Sequence, residues 1–319
     1  MHEFELIKKY FSKLSLKNKY SLNLNDDVFF DKSKNLVVSV DTYINGVHFI
    51  DFKKPELVIK KIIRSSISDI ICKGVSPKYY FISGSGNKKF FSKLNLDRIS
   101  KSLNQEQNKF KIFLCGGDTV YSNKLSFTIT SIGFSNKIIF RNKAKINDDI
   151  YVTGNLGDSF TGLKVLKREI KLNKELGKYF KNKYFKPDLH LQLTKNLLNF
   201  ANTSIDISDG LFADLEKLIN KQRLSFILDL NKITISKKLE KVLIEKKLKK
   251  ISFVSQGDDY QILFTANPSK ERIINQYAKS LRVKISKVGK ICAHTQKSHI
   301  IDQKGDKITP KYKGYFHKF

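Results

Sequence analysis

Short apolar runs that end on an aspartate recur along this chain and constrain its fold more than any other feature. Leu36-Val37-Val38-Ser39-Val40 stops at Asp41, Ile112-Phe113-Leu114-Cys115 passes through Gly116-Gly117 to Asp118, and Ile205 runs into Asp206. Runs of this length suit strands. Between the first two, Ile59, Ile63, Ile67 and Ile70 recur at helical spacing. Pro55 suits the first turn of that helix, and Gly74 with Pro77 ends it near Cys72. Leu125 to Phe134 alternates apolar and hydroxyl residues, the period of a half-buried strand.

A second cycle starts near Asp149, where Ile150-Tyr151-Val152-Thr153 leads through Gly154 and Gly157 into a helix from Asp158 to about Ile170. Helical patterns at 188–201, 210–221, 236–249 and 269–281 then interleave with strand patterns at 225–230, 260–266 and 283–289. The expected class is α/β or α+β, and 319 residues exceed what one core usually serves. The polar stretch 136–147 separates two strong strand signals, so the chain divides into domains 1–137 and 138–319. Gly84-Ser85-Gly86 reads as a turn, since a lone G-x-G carries little else.

Composition removes several function classes. No run approaches the roughly 20 apolar residues of a membrane helix, and Met1-His2-Glu3-Phe4-Glu5 lacks the basic-then-apolar pattern of a secretory leader. A cytoplasmic protein with no membrane partner is expected. Cys72, Cys115 and Cys292 are too few and too far apart for a disulfide framework or a zinc site, and read as reduced, mostly buried thiols. The net charge of +30, from 60 Lys and Arg against 30 Asp and Glu, is spread along the chain without a basic block. It speaks to solubility and to non-specific attraction of anions. A basic nucleic-acid-binding module, the reading from another class, predicts clustered cations with interleaved aromatics and gives no reason for strand-end aspartates.

Seven aspartates resist explanation as surface charge: Asp26, Asp27, Asp41, Asp69, Asp118, Asp206 and Asp209. Asp69 falls in the last turn of an apolar helix, where the macrodipole opposes a negative charge. Either it bonds locally to Arg64, Lys73 or a backbone N–H, or it joins the others around a cation. Carboxylates delivered from separate strand ends suit Mg²⁺, which takes oxygen ligands and is usually held by a few carboxylates plus substrate phosphates. Joining two phosphorylated anions needs such ions to relieve repulsion, and a phosphate nucleophile, already ionised, needs no general base. No G-x-x-x-x-G-K-[S/T] occurs, so a P-loop enzyme is excluded.

In order, these motifs resemble those of thiamine-monophosphate kinases. Asn25-Asp26-Asp27 is similar to the family's Gly-Asp-Asp, Ser39-Val40-Asp41-Thr42 to Ser-Thr-Asp-Thr, and Ser66-Ile67-Ser68-Asp69 to Asn-Leu-Ser-Asp. Cys115-Gly116-Gly117-Asp118-Thr119 and Ile205-Asp206-Ile207-Ser208-Asp209-Gly210-Leu211 match more closely. Glu3-Phe4-Glu5-Leu6-Ile7, Tyr151-Val152-Thr153-Gly154, Gly257-Asp258-Asp259-Tyr260 and Tyr312-Lys313-Gly314-Tyr315 extend the likeness over nearly the whole chain.

The resemblance implies the two-domain fold shared with aminoimidazole ribonucleotide synthetase, with an N-terminal domain that dimerises through its sheet and a C-terminal α/β domain. It implies ATP-dependent phosphorylation of thiamine monophosphate, with ATP as co-substrate, several Mg²⁺ ions, a homodimer and no specific nucleic acid. Asp27, Asp41, Asp69, Asp118 and Asp206 would be the chief metal ligands, Asp209 would hold a further ion, and Ser39 with the backbone of Val40 would complete the shell. Gly117, Asp118, Arg141 and Ser208 would contact ATP, while His48, Asp258 and Tyr312 would meet thiamine monophosphate. Without the family match His48 reads equally as a half-buried strand histidine, and Tyr312 as a cap on the C-terminal core. The chain departs from the family at Asn25 for Gly, Val40 for Thr, Ser66 for Asn, Asp258 for Glu and Tyr312 for Trp, none of which removes a carboxylate.

Overall fold

An 18-residue helix, Pro55–Cys72, runs through the middle of the molecule. Pro55 opens it, and Gly74, at φ +79°, lets the chain leave it. Its isoleucines Ile59, Ile63, Ile67 and Ile70 are buried, as their spacing predicts, but so are Lys61, Arg64, Ser65 and Ser68. A helix covered on all sides normally is apolar all round. Here the polar stripe 61, 65, 68 follows the helical repeat and faces the second half of the chain, which supplies a partner for Lys61 and for Ser68. Arg64 pairs with Glu106 of the Lys93–Phe110 helix and donates to Pro187 O at 3.1 Å.

The structure is a computed structural model that describes residues 3–295, 297–312 and 314–315, without the side chain of Phe4. Met1-His2, Lys313 and the His317-Lys318-Phe319 end lie outside the described residues. The first sheet comprises β1 (Phe29–Asp31), β2 (Leu36–Ile44), β3 (Pro77–Gly86), β4 (Phe113–Gly116), β5 (Thr119–Tyr121) and β6 (Ser126–Phe134), in the order β1-β2-β6-β3-β4 with β5 also on β3. Its β1, β2, β6 and β3 neighbours are antiparallel, whereas β4 and β5 lie parallel to β3. The second sheet comprises β7 (Asp149–Thr153), β8 (Thr203–Asp206), β9 (Leu224–Asp229), β10 (Ile262–Ala266), β11 (Ile285–Ala293), β12 (His299–Ile301) and β13 (Lys307–Ile308). Their order is β13-β12-β9-β11-β7-β10-β8. This is the mixed helix-and-sheet class expected from the sequence.

Three expectations need correction. Gly84-Ser85-Gly86 is the end of strand β3, not a turn, because β5 arrives from more than thirty residues away to pair with it. The 188–201 segment holds only a 3₁₀ turn, Leu191–Leu193, and a four-residue helix, Thr194–Leu197. Of the three thiols Cys72 alone is buried, since Cys115 sits exposed on β4 and Cys292 is half-buried. The Lys93–Phe110 helix escapes the apolar-spacing test because Ser102 and Glu106 sit in its buried stripe with Ile99 and Phe110.

One apolar core joins the halves. It runs from Tyr43, Ile59 and Phe127 to Tyr151, Phe200 and Phe264. The other face of the first sheet is bare: Val40, Ile44, Phe81 and Phe134 are exposed there, and Phe113, Leu114, Val120 and Tyr121 extend the apolar surface onto β4 and β5.

Candidate active site

A cavity of about 430 Å³ opens between the two halves, lined by Asp41 and Asp69 on one side and Asp206, Ser208, Asp209 and Asp258 on the other. Strand alternation aims Ser39, Asp41 and Tyr43 toward the central helix while Val40 and Thr42 face outward. Ser39 Oγ donates to Asp69 Oδ2 at 2.6 Å, which answers the charge at the end of that helix. Neither Arg64 nor Lys73 pairs with Asp69: Arg64 is taken by Glu106 and Lys73 by Asp26 and Asp27. Ser68 Oγ, one residue earlier, donates to Asp206 Oδ2 at the end of β8, so one helical turn fixes Asp69 beside Asp206.

These carboxylates crowd one another. Burial pushes Asp41 up to about 6, against hydrogen bonds from Tyr43 and Asp69. Burial, then the charges of Asp41 and Asp206, hold Asp69 well above the usual carboxylate range. Burial likewise raises Asp206 to about 7, aided by Asp214 and opposed by the Ser68 hydroxyl. Three acids that resist ionisation together form a site waiting for positive charge.

The opposite wall is aromatic. Tyr184 and Tyr260 line the cavity with Lys61 Nζ 4.1 Å from the Tyr184 ring centre and 2.5 Å from Asp258 Oδ1. Asp258 and Tyr260 both adopt left-handed backbone, φ 71° and 51°, on either side of buried Asp259. Such strain persists only where surroundings enforce it. Asp259 accepts from the Gly157 and Ser159 N–H groups, and a Cβ on Gly257 would stand 1.9 Å from Ser208 O. His48 lies in the turn after β2, not in a strand, with Nδ1 accepting from the Ile44 N–H at 3.0 Å and its ring edge-on to Tyr43. Tyr312 lines the cavity near Asp209 instead of capping a core. Asp209 is ion-paired with Lys217, which also meets Asp214 at 3.0 Å.

The structure therefore gathers Asp41, Asp69, Asp206, Ser208, Asp209, His48, Asp258 and Tyr312 around one cavity, with Ser39 bonded to Asp69. It does not bring Asp27, Arg141, Gly117 or Asp118 to that cavity. Asp27 and Arg141 bond to each other. Asp118 is exposed beyond β4, three strand positions from Asp41 in the order β2-β6-β3-β4, or about 14 Å at the usual strand spacing. Gly117 holds that edge tight, since a Cβ there would meet Ile82 O at 1.7 Å. Sequence reasoning missed Lys61, Lys217, Tyr184 and Tyr260, and named Lys73 only as a partner for Asp69. Only the adjacency of Tyr260 to the Gly257-Asp258-Asp259 turn offered a signal.

Among the described residues no three His, Cys, Asp or Glu side chains already converge as a finished metal cage. The donor set nonetheless fits Mg²⁺, an ion that keeps several waters and shares its shell with substrate phosphates. The acids raised chiefly by burial, with neighbouring carboxylates adding to the effect at Asp69 and Asp206, are the observation that supports this fit.

Residues 25–135 match the family described as AIR synthase related protein, N-terminal domain. A thiamine-monophosphate kinase of Buchnera aphidicola from Acyrthosiphon pisum is 32% identical over 99% of this chain and 98% of its own length. The thiamine-monophosphate kinase of Haemophilus influenzae is 30% identical over 91% and 89%. Among solved structures, AaThiL complexed with AMPPCP and TMP superposes with a TM-score of 0.85 at 25% identity, covering 99% of this chain and 97% of that one.

Proposed function

The chain belongs to the thiamine-monophosphate kinase family, and from that premise we propose how its cleft performs the reaction. The enzyme transfers the terminal phosphoryl group of ATP to the phosphate of thiamine monophosphate, yielding thiamine diphosphate and ADP in thiamine diphosphate biosynthesis. The observation that carries the site reading is the convergence of Asp41, Asp69 and Asp206 from three separate elements on one cavity with an aromatic wall.

The transfer is direct and in line. The attacking phosphate oxygen is already ionised, so the residues must position two anions and offset their repulsion. Mg²⁺, when bound, supplies that neutralising charge and stabilises what develops on the transferring group. Asp41, Asp69 and Asp206 would hold it, completed by Ser39 and the Val40 carbonyl, and Asp209 would hold a further ion. Ser208 approaches ATP from the second half. Arg141 keeps N–H groups beyond those spent on Asp27.

His48, Asp258 and Tyr312 form the thiamine monophosphate side. Because Lys61 already balances Asp258, the cationic thiazolium is met chiefly by ring faces, Tyr312 with Tyr184 and Tyr260. Residues 1–137 and 138–319 act as two domains that close on this cleft. The bare outer face of the first sheet, centred on Val40, Phe81 and Phe134, pairs with a second copy in a homodimer. Asp118 and Gly117 sit at the border of that face, so we read them as completing the ATP site of the second copy. Among the described residues no helix is long and apolar enough to cross a membrane. The enzyme works in the cytoplasm. A polynucleotide partner has no counterpart in a cleft lined by carboxylates.

Purified protein with ATP, Mg²⁺ and thiamine monophosphate should yield thiamine diphosphate and ADP in equal amounts, and none from free thiamine. Inorganic phosphate without thiamine diphosphate would assign the cleft to another ATP-dependent reaction of this fold.

A further inference from the structure

Lys73 directly follows the Pro55–Cys72 helix, where a lysine ordinarily reaches into water and complements the helix dipole. Here it turns inward and is 0% exposed. Its Nζ stands 2.7 Å from Asp26 Oδ1 and 2.7 Å from Asp27 Oδ2, and donates to Ser204 O at 2.9 Å. These three acceptors use all three protons of an ammonium. Arg141 closes the other side. Its Nε donates to Asp27 Oδ2 at 3.0 Å, its Nη2 pairs with Asp27 Oδ1, and its backbone N–H donates to Asp26 Oδ2 at 2.9 Å. Two carboxylates are met by two fixed cations, which leaves no net charge to attract another.

We propose that the Lys73 ammonium is a built-in substitute for a metal ion at Asp26 and Asp27, so that Asp27 is not a magnesium ligand in this chain. The inference rests on the metal-assisted reading of the cleft and narrows it. A divalent ion bonded to Asp27 would stand beside an ammonium that has no space to withdraw, at a strongly repulsive separation. Burial is the largest influence and opposes the Lys73 charge, but Asp26, Cys72 and Asp69 together hold the group above the ordinary lysine range. Lys217 makes the instructive contrast. It also pairs with an aspartate of the site, Asp209, but their side chains are 13% and 26% exposed at the cleft, where an incoming ligand can displace the pair.

Lys73 is also a positioning residue. Ser204, its third partner, lies on β8 two residues before Asp206, and Ser204 Oγ in turn donates to Cys72 O. The same ammonium therefore sets the register of β8 against the helix that carries Asp69.

The test counts Mn²⁺ bound to the full-length protein with a non-hydrolysable ATP analogue and thiamine monophosphate, by electron paramagnetic resonance, for wild type, Asp27→Asn, Lys73→Met and Asp69→Asn. Asp27→Asn is expected to keep the wild-type count, Asp69→Asn to lose at least one ion, and Lys73→Met to gain one. Loss of an ion in Asp27→Asn overturns the proposal, as does an unchanged count in a folded Lys73→Met protein. Should Lys73→Met unfold in metal-free buffer, refolding by millimolar Mg²⁺ supports the exchange of one cation for another, and the Asp27→Asn count decides otherwise. A wild type that binds no Mn²⁺ counts against the metal-assisted reading, while a gain in Lys73→Met still reads Lys73 alone.

Discussion

The Lys61 ammonium lies 2.5 Å from the Asp258 carboxylate, an ion pair that joins the central helix to a strained loop of the second half. Lys61 is buried, whereas Asp258 keeps 27% of its side chain exposed to the cavity. Removing one partner of such a pair costs about 3 kcal/mol, because the other charge stays behind. Lys61→Met should lower stability by that amount in urea unfolding, and adding Asp258→Asn should recover more than half of it. Additive losses would mean that the two side chains do not act as a pair.

Asp41 and Asp69 are held together in the cavity at a cost to the metal-free fold. Asp41→Asn and Asp69→Asn should each reduce kcat by at least about 100-fold, as removal of charge-stabilising groups does. Both should melt at or above the wild-type temperature without metal, since a repulsion is removed. Normal turnover in both variants would remove them from the site.

The raised acids set a pH dependence. A carboxyl whose folded value lies above its unfolded one contributes stability in full below the unfolded value and loses it as pH rises through the folded value. For Asp41 and Asp206 that window runs from 3.8 to about 6 and about 7. The metal-free protein should therefore melt at lower temperature at about pH 8 than at about pH 5 as far as these groups decide. Mg²⁺ should raise the melting temperature more at the higher pH, where binding displaces fewer protons. An equal Mg²⁺ effect at both values would contradict the assignment.

Phe81 is exposed at the centre of the first sheet's outer face. Phe81→Glu should halve the mass seen by light scattering if that face joins two copies. Mixing inactive Asp41→Asn with inactive Asp118→Asn should restore about a quarter of wild-type turnover, because half of the dimers regain one complete site. If both residues serve the same chain, the mixture stays inactive.

Tyr312 lines the cavity beside Asp209, and burial raises its hydroxyl to about 12. Tyr312→Ala should raise the KM for thiamine monophosphate about 10-fold, the scale of a lost cation–π contact, with the KM for ATP nearly kept. The reverse pattern would move Tyr312 to the nucleotide side.

The sequence by itself determined the class of fold, the central helix and the aspartates proposed to carry the chemistry. Apolar periodicity and a charge at a strand end are local properties, readable from a few neighbouring residues. Tertiary structure alone decided which cations meet those aspartates. With 60 lysines and arginines in the chain, nothing near Lys61 or Lys217 sets them apart, and Lys73 reads only as a local partner for Asp69 at a helix end. Lys61 acquires its role from a carboxylate 197 residues away and Lys73 from Asp26 and Asp27, because the chain folds over both and leaves no water to solvate either ammonium, whereas Lys217 meets Asp209 and Asp214 of its own half at the edge of the cleft. The same distance hides Asp118, whose motif matches its neighbours in sequence while the sheet order carries it to the far edge.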